Sequence, residues 1–260
     1  YACLFMEKCC LYDKENVEKR RRCSSMKSLL ISFQQLLFMV KKDKMLLLIC
    51  FVPILCGFIF RYGVPIFNQM SIQYFKIDFH QYYSLIDTFY GILISDMLCI
   101  VSALIILEER DDHIINGLFV TPLGKIGYLI SRLGIPTLMS FIFTCILLPI
   151  FHISSLPFDM MILICILGCM QGLIVSLLVV SLSSHKLEGM AVAKMASLES
   201  FVVLIPYFMH SAYSYLFAWV PTFWIGKGLV NEQVFLMLMG LFISVLWIVI
   251  LVFVFNRKLA

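Results

Sequence analysis

The chain of 260 residues is 62% hydrophobic and only 14% charged, and its mean hydropathy is +0.97. A water-soluble domain could not cover its surface with so few polar side chains, so the composition excludes the soluble classes and indicates an integral membrane protein. The basic run at residues 18–22 is typical of a segment beside anionic lipid, and we predict no nucleic-acid partner.

The amino-terminal part of the chain precedes the first long apolar run. Residues 1–25 are predicted to be a solvated basic leader, with Met26 as a candidate native start, ahead of a single transmembrane domain at 26–260. From residue 26 to residue 44, apolar residues recur at helical spacing and three lysines follow them. This pattern predicts an amphipathic helix on the inner membrane face.

Six stretches with few or no charges are long enough to cross a bilayer, whose core takes about 20 apolar residues per helix. They do not alternate polar and apolar residues, as the strands of a membrane barrel would. We therefore predict an all-α integral membrane fold with six spans, at about 45–67, 85–107, 133–153, 160–183, 198–218 and 234–255.

Three ionisable residues fall inside the first two predicted spans. Arg61 and Asp87 lie toward the outer ends of their spans, so Arg61 either snorkels to the interface or pairs with Asp87. Asp96 lies nine residues deeper than Asp87. An acid in hydrocarbon costs about 2.5–3.5 kcal/mol on insertion scales and normally faces a partner or water, so Asp96 is a candidate functional residue.

Two segments flank the fifth predicted span. Residues 184–200 predict a short helix on the inner surface that leads into this span. Before the sixth span, Pro221 and two glycines at 226 and 228 are predicted to break the helix, and aromatic residues including Trp224 are typical of a membrane interface. We therefore predict that this segment forms a short re-entrant or surface-lying pair of helices on the outer side.

Orientation follows from the loops, because Lys and Arg near span ends are retained in the cytoplasm. With both termini inside, seventeen of the twenty Lys and Arg residues are cytoplasmic, and the outer loops hold only Lys76 and Lys227. The sequence therefore predicts a multi-pass protein of the cell membrane with both termini and the 108–132 loop in the cytoplasm.

The segment "EERDDHIINGLFVTPL" at 108–123 carries an unusual charge pattern for so apolar a chain. Its acids crowd the amino end of a predicted helix, where the helix dipole favours negative charge, and apolar residues follow on one face. Thr121 and Pro122 would end this helix. The acids are Glu108, Glu109, Asp111 and Asp112, and the apolar face includes Ile115, Leu118 and Phe119.

Sequence motifs for enzymatic chemistry are absent. The chain has no GxxxxGK[ST] phosphate loop, no GxGxxG turn, no HExxH or paired metal spacing among its five histidines, and no GxSxG elbow. We therefore predict no catalytic residue, no metal site and no nucleotide site in this chain.

The acidic segment resembles the loop between the second and third spans of the type 2 ABC exporter permeases, which typically reads like "EEKEDGTLEALLVTPL". His113 and Ile114 stand where that family usually has Gly-Thr. The resemblance covers residues 26–258 and is closest to small drug and fluoroquinolone export permeases, which also carry P-x-x-W, here Pro221 and Trp224, before the last span. The matching residues are Glu108, Glu109, Asp112, Leu118, Val120, Thr121, Pro122 and Leu123.

The resemblance implies that this loop is a coupling helix that docks on a separate ATPase subunit, which binds the ATP and magnesium. The chain would then be half of a dimer of permeases that exports an apolar or amphipathic substrate. The residues implied in the ATPase contact are Glu108, Glu109, Asp111, Asp112, Ile115, Leu118, Phe119, Thr121 and Pro122.

Two other classes stay open at this point. An ion-coupled secondary transporter would use an intramembrane acid, for which Asp96 is the deep candidate. A non-transporting membrane anchor or immunity protein would function without ATP turnover.

Overall fold

The computed structural model describes residues 38, 44–75, 79–112, 128, 130–209 and 212–258. The predicted leader at 1–25, nearly all of the predicted amphipathic helix and the loop at 113–127 lie outside these residues. Within them, six helices are long and apolar enough to cross a membrane, and no residue lies in a strand. The predicted all-α fold with six spans is thereby confirmed.

The first three spans each combine a regular helix with a short irregular turn. The first comprises helices Lys44–Phe58 and Val64–Phe75, joined by a π-helical turn at Ile59–Gly63. A 3₁₀ turn at His80–Tyr82 leads into the second, Tyr83–Asp111. The third begins with a π-helical turn at Ile130–Gly134 and continues as Ile135–Phe151.

The second half of the chain holds three further spans and one shorter helix. The fourth span is Phe158–Leu182, and the sixth is Val234–Lys258. The fifth comprises Lys186–Ser197, a 3₁₀ segment Leu198–Leu204 and Ile205–Phe208. Between the fifth and sixth spans lie a 3₁₀ turn at Ala212–Phe217 and a helix at Pro221–Val230.

The second span forms the centre of the bundle and packs most closely on the fourth. Its apolar stretch is 83% buried, whereas that of the first span is 11% buried. Small residues permit the close approach, because a Cβ atom at Gly172 would lie 2.8 Å from the carbonyl oxygen of Ser95. Membrane helices commonly associate through such small residues, since lipid supplies no hydrophobic force between them.

The fifth span differs from the prediction of 198–218, because the candidate spanning helix is Lys186–Phe208. The residues predicted as an inner-surface helix are its first three turns. Small residues explain this position, since Gly189 packs against the side chain of Leu107 and Ala193 is buried. The prediction placed the span too late because the charged residues of 186–199 lower the hydropathy of its first turns. The span tolerates these charges because this part of the helix is partly exposed.

The segment before the sixth span returns into the bundle. Trp247 donates its indole N–H to the carbonyl of Trp219 at 2.9 Å. Trp247 lies thirteen residues after Val234, about 20 Å along the sixth span at 1.5 Å per residue. Of the two predicted forms, this geometry fits the re-entrant one, and it places Trp219 beside the middle of the sixth span instead of at its end.

Pro221 and the two following glycines do not break this helix, contrary to the prediction. Pro221 occupies the first turn of Pro221–Val230, where its missing N–H costs no hydrogen bond. Gly226 and Gly228 lie inside the helix, which lets it pack against the backbone carbonyl of Val203 and the side chain of Met237. The close approach explains why glycine is needed within this short buried helix.

Candidate functional site

The acidic residues of the second span emerge at one end of the bundle, where its helix continues to Asp111. We call Glu108–Asp112 the acidic cluster and this end of the molecule the acidic end. The cluster directly precedes residues 113–127, which the sequence predicts as a loop, and the next described residue is Tyr128. The contacts of its side chains therefore determine how the residues on the two sides of this segment are bound to the rest of the bundle.

Glu109 is buried inside the chain and binds Arg132 of the third span. Both side chains are only 2% exposed, and the guanidinium forms an ion pair with Glu109 Oε1. Arg132 Nε also donates to Oε2 at 3.2 Å, and the Tyr128 hydroxyl donates to the same oxygen at 2.8 Å. This three-residue cluster joins the last turn of the second span to the first turn of the third.

The local structure of the third span brings Arg132 into this position. Its first turn is π-helical, and the turn buries Ser131, Arg132 and Leu133 together. Tyr128 precedes it and is 1% exposed. Burial, and then the Glu109 carboxylate, raise the pKa of the Tyr128 phenol above its usual value, so Tyr128 remains a protonated donor. The donor satisfies a carboxylate oxygen that would otherwise be costly to bury.

Asp111 binds the start of the fifth span. One carboxylate oxygen accepts the backbone N–H of Lys186 at 2.9 Å, and the other lies 2.8 Å from His185 Nδ1. A carboxylate at a helix amino terminus satisfies a free N–H and is favoured by the helix dipole. Asp111 therefore caps a helix that is distant in sequence.

Glu108 and Arg110 add two further links to the same region. The Lys186 ammonium lies 2.9 Å from Glu108 Oε2, and Arg110 donates to the carbonyl of Ser183 at 3.1 Å. Ser183 ends the fourth span. The acidic cluster consequently connects the ends of the second, third, fourth and fifth spans.

The predicted contact residues thus fall into three groups. Glu109 does not lie on an exposed docking face, because its carboxylate is buried against Arg132 and Tyr128. Asp112 is exposed at the end of the helix, and Glu108 and Asp111 are partly engaged within the chain. The five remaining predicted residues lie outside the described residues: Ile115, Leu118, Phe119, Thr121 and Pro122.

Comparison with known proteins gives the family. A sequence model of the family described as "Fluoroquinolones export permease protein Rv2686c-like" matches residues 37–255. Two proteins of Mycobacterium tuberculosis are similar: the fluoroquinolones export permease proteins Rv2686c of strain H37Rv and MT2760 of strain CDC 1551. Each is 23% identical over 196 residues, which cover 72% of this chain and 75% of the relative. No solved structure matches the chain.

The chain belongs to this export permease family. The match confirms the permease resemblance that the acidic segment and the aromatic segment carried, and it supports the role of a multi-pass, non-enzymatic transport protein.

In this permease, Arg61 and Asp87 do not bind each other, although both bind the turn that follows the third span. Asp87 is buried and accepts the backbone N–H groups of Ile153, at 3.0 Å, and of Ser154, at 2.8 Å. Arg61 donates to the carbonyl of His152. Of the two alternatives for Arg61, pairing with Asp87 does not occur, because backbone N–H groups after the third span already supply donors to Asp87.

Asp96 of the permease lies in a polar layer between the second, fourth and fifth spans. Its Oδ2 accepts the Ser200 hydroxyl at 2.7 Å, while Oδ1 has no hydrogen-bond partner among the described residues. Gln171 of the fourth span is fully buried, and neither of its amide atoms has a partner there. Unpaired buried polar groups are costly, so this layer is a second candidate site.

The other two predicted site residues belong to the re-entrant segment. Pro221 is buried, and Trp224 donates its indole N–H to the carbonyl of Ala218 at 2.7 Å. This bond closes the turn that leads into the helix Pro221–Val230. Both residues therefore shape the re-entrant helix, and Trp224 also packs against Gly240 of the sixth span.

Sequence reasoning did not find Arg132, Tyr128 and Lys186 as partners of the acidic cluster. A usable signal was present for Arg132, which directly precedes the predicted third span on the same side as Glu109, whereas Lys186 stands at the start of the fifth span only in the structure. Opposite charges at the same membrane level are expected to pair.

Proposed function

We propose that this permease is the transmembrane subunit of an ATP-driven exporter that works as a dimer of permeases with a separate ATPase. The cargo would be an apolar or amphipathic molecule moved outward, and a fluoroquinolone is the first probe because the relatives are named for that cargo. The chain contains no phosphate loop. ATP and magnesium would therefore be bound by the partner, and work would reach the permease through a contact.

The observation that supports this proposal is the junction of Glu109, Arg132 and Tyr128 across the 113–127 loop. The residues on the two sides of the loop are bound to each other inside the bundle. A force applied to the loop would therefore be passed to the second and third spans together, instead of being absorbed by independent movement of its ends. Asp111 and Glu108 extend the same connection to the fifth span.

Within the loop, the proposed contact keeps the predicted apolar face at Ile115, Leu118 and Phe119, with Thr121 and Pro122 at its end. Asp112 supplies an exposed charge at its start. Glu109 is not part of the proposed contact, because it is buried, and we assign it the role of positioning the loop. An apolar face beside an acidic end would suit a cleft with basic residues on the ATPase.

The orientation we propose has the acidic end and both termini in the cytoplasm of the cell membrane. It is supported by the distribution of Lys and Arg, seventeen of which lie in segments that the sequence predicts on this side. An ATPase could reach the 113–127 loop only from this side, so the orientation and the coupling role require each other.

An ion-coupled secondary transporter is the second candidate. The buried carboxylate of Asp96, with one oxygen unbonded among the described residues, is the observation that favours it. The family match favours transport over the non-transporting anchor. The two transport mechanisms differ in their energy source, which can be measured.

The test uses the purified permease reconstituted in proteoliposomes with the ATP-binding cassette protein encoded nearest to it. Fluoroquinolone uptake into inside-out vesicles is measured with ATP, with a non-hydrolysable analogue, and with a proton gradient alone. We expect uptake with ATP only, and loss when the ATPase is omitted. Uptake driven by the gradient without the ATPase, and abolished by Asp96→Asn, would support the ion-coupled mechanism instead.

A further inference from the structure

A groove of about 510 Å³ lies on the inner part of the bundle, beside the fifth span. Its walls come from the fourth, fifth and sixth spans and from the innermost turn of the re-entrant segment. Nearly all of its lining side chains are apolar, including Ile174, Leu178 and Met195, and Glu199 is the single ionisable residue among them. The volume lies in the range of about 300–1,000 Å³ that is typical of small-molecule sites.

Glu199 has no cationic partner among the residues that the structure describes. Its carboxylate adjoins the amide of the fully buried Gln171, and it lies near Asp96. A carboxylate in an apolar environment is costly unless a cation or several hydrogen bonds compensate it. The groove therefore holds a carboxyl group with no cation beside it among the described residues, and the polar side chains of Gln171 and Asp96 lie behind it.

Two indole rings form the opposite wall. Trp219 and Trp247 lie with ring centroids 5.8 Å apart at 44°, and the Trp219 ring is largely exposed. Their positions are fixed, since Trp247 donates its N–H to the Trp219 carbonyl. Thr222 further holds the segment in place by donating to the carbonyl of Glu199 at 3.1 Å. Indole faces attract cations as well as apolar rings.

We propose that this groove binds a lipophilic organic cation, with its charge at Glu199 and its apolar body against Trp219 and Trp247. The occupant is a cation because the only ionisable side chain in the lining is a carboxyl group and the facing wall is aromatic. A neutral acyl chain would offer Glu199 no counter-charge. This inference rests on the proposed export function in one respect, since the cation would be the cargo.

The binding test needs neither ATP nor an ATPase, so its outcome is independent of the transport test. The probe is tetraphenylphosphonium, and tetraphenylborate has the same shape with the opposite charge. Binding to the full chain in lipid nanodiscs is measured by equilibrium dialysis, with empty nanodiscs as the correction for partitioning. We expect saturable binding of the cation and none of the anion.

Glu199→Gln should weaken tetraphenylphosphonium binding at least about tenfold, which corresponds to about 1.4 kcal/mol. Trp219→Ala should weaken it as well, while leaving the backbone bond to Trp247 in place. Asp159→Asn is the matched control, because Asp159 is an exposed acid at the far end of the fourth span, and its affinity should equal that of the wild type.

Equal binding of tetraphenylborate, or unchanged affinity in both Glu199→Gln and Trp219→Ala, would overturn the proposed site and identify the groove as a lipid-facing surface. If these variants lose the cation as expected while ATP drives no export, the site stands and the exporter proposal fails. If ATP drives export while the variants bind normally, the exporter proposal stands and the site fails.

Discussion

Glu109 and Arg132 form a buried ion pair that connects the residues before and after the 113–127 loop. The two residues are 23 positions apart and belong to different spans. Each is 2% exposed, and Tyr128 supplies an additional hydrogen bond to the carboxylate. Removing one partner would leave the other charged and buried, which typically costs about 3–5 kcal/mol.

Arg132→Met and Glu109→Met should each lower the thermal unfolding temperature of the purified permease. The double variant should be more stable than the sum of the two effects implies, because no uncompensated charge remains. The measurement is the unfolding temperature in detergent for all four proteins of the cycle. Additive losses, or single variants as stable as the wild type, would show that the pair does not join the spans.

Asp111 and Asp112 are adjacent acids for which we predict different roles. Asp111→Ala removes the cap of the fifth span and should cost about 0.5–2 kcal/mol in stability. Asp112→Ala should leave stability unchanged, because its side chain makes no hydrogen bond to the described residues, yet it should weaken ATPase binding. Unfolding and pull-down of the ATPase are measured for both. The coupling geometry would be contradicted if Asp111→Ala lost only ATPase binding and Asp112→Ala lost only stability.

Gly172 permits the close contact between the second and fourth spans. Gly172→Ala would place a methyl group 2.8 Å from the Ser95 carbonyl oxygen, and overpacking of this kind costs about 1–3 kcal/mol. Gly63→Ala is the control, since the nearest atom there is 3.8 Å away, on Ile59. The unfolding temperature should fall for Gly172→Ala only. Equal temperatures for the two variants would mean that the spans can separate at no cost.

Orientation can be tested by cysteine labelling in whole cells. The four cysteines of residues 1–25 are first replaced with serine, and a cysteine is placed at Asn116 or at Asn231, between the re-entrant helix and the sixth span. A membrane-impermeant maleimide should label Asn231→Cys from outside. Asn116→Cys should react only after the membrane is opened. Labelling of Asn116→Cys in intact cells would refute the proposed orientation.

The helical architecture was predictable because each span is a long apolar run. The thickness of the bilayer core sets the length of such runs, so they can be recognised without knowledge of how the helices pack. The fifth span was misplaced for the same reason. Its first turns contain Lys186 and Lys194, and only the packing of Gly189 on Leu107 shows that this segment belongs to the bundle. Hydropathy carries no information about such a contact.

The candidate site was predictable only in part. The charge pattern of 108–112 marks an unusual position, but it does not distinguish an acid that faces a partner protein from one that binds another span. Glu109 and Arg132, or Asp111 and Lys186, are brought together by the fold across long separations in sequence. For the same reason, neither the binding of Asp87 to the turn at Ile153 and Ser154 nor the polar layer around Asp96 and Gln171 follows from local periodicity.

The decisive measurement is ATP-driven fluoroquinolone uptake by inside-out proteoliposomes that contain the permease and its ATPase, compared for Phe119→Asp and Phe119→Leu. The first variant places a charge on the proposed apolar contact face, and the second preserves its apolar character. We predict that Phe119→Asp inserts normally but loses uptake and ATPase stimulation, while Phe119→Leu retains most of both. Full uptake and full ATPase stimulation in Phe119→Asp would contradict the proposal that this loop couples ATP hydrolysis to export.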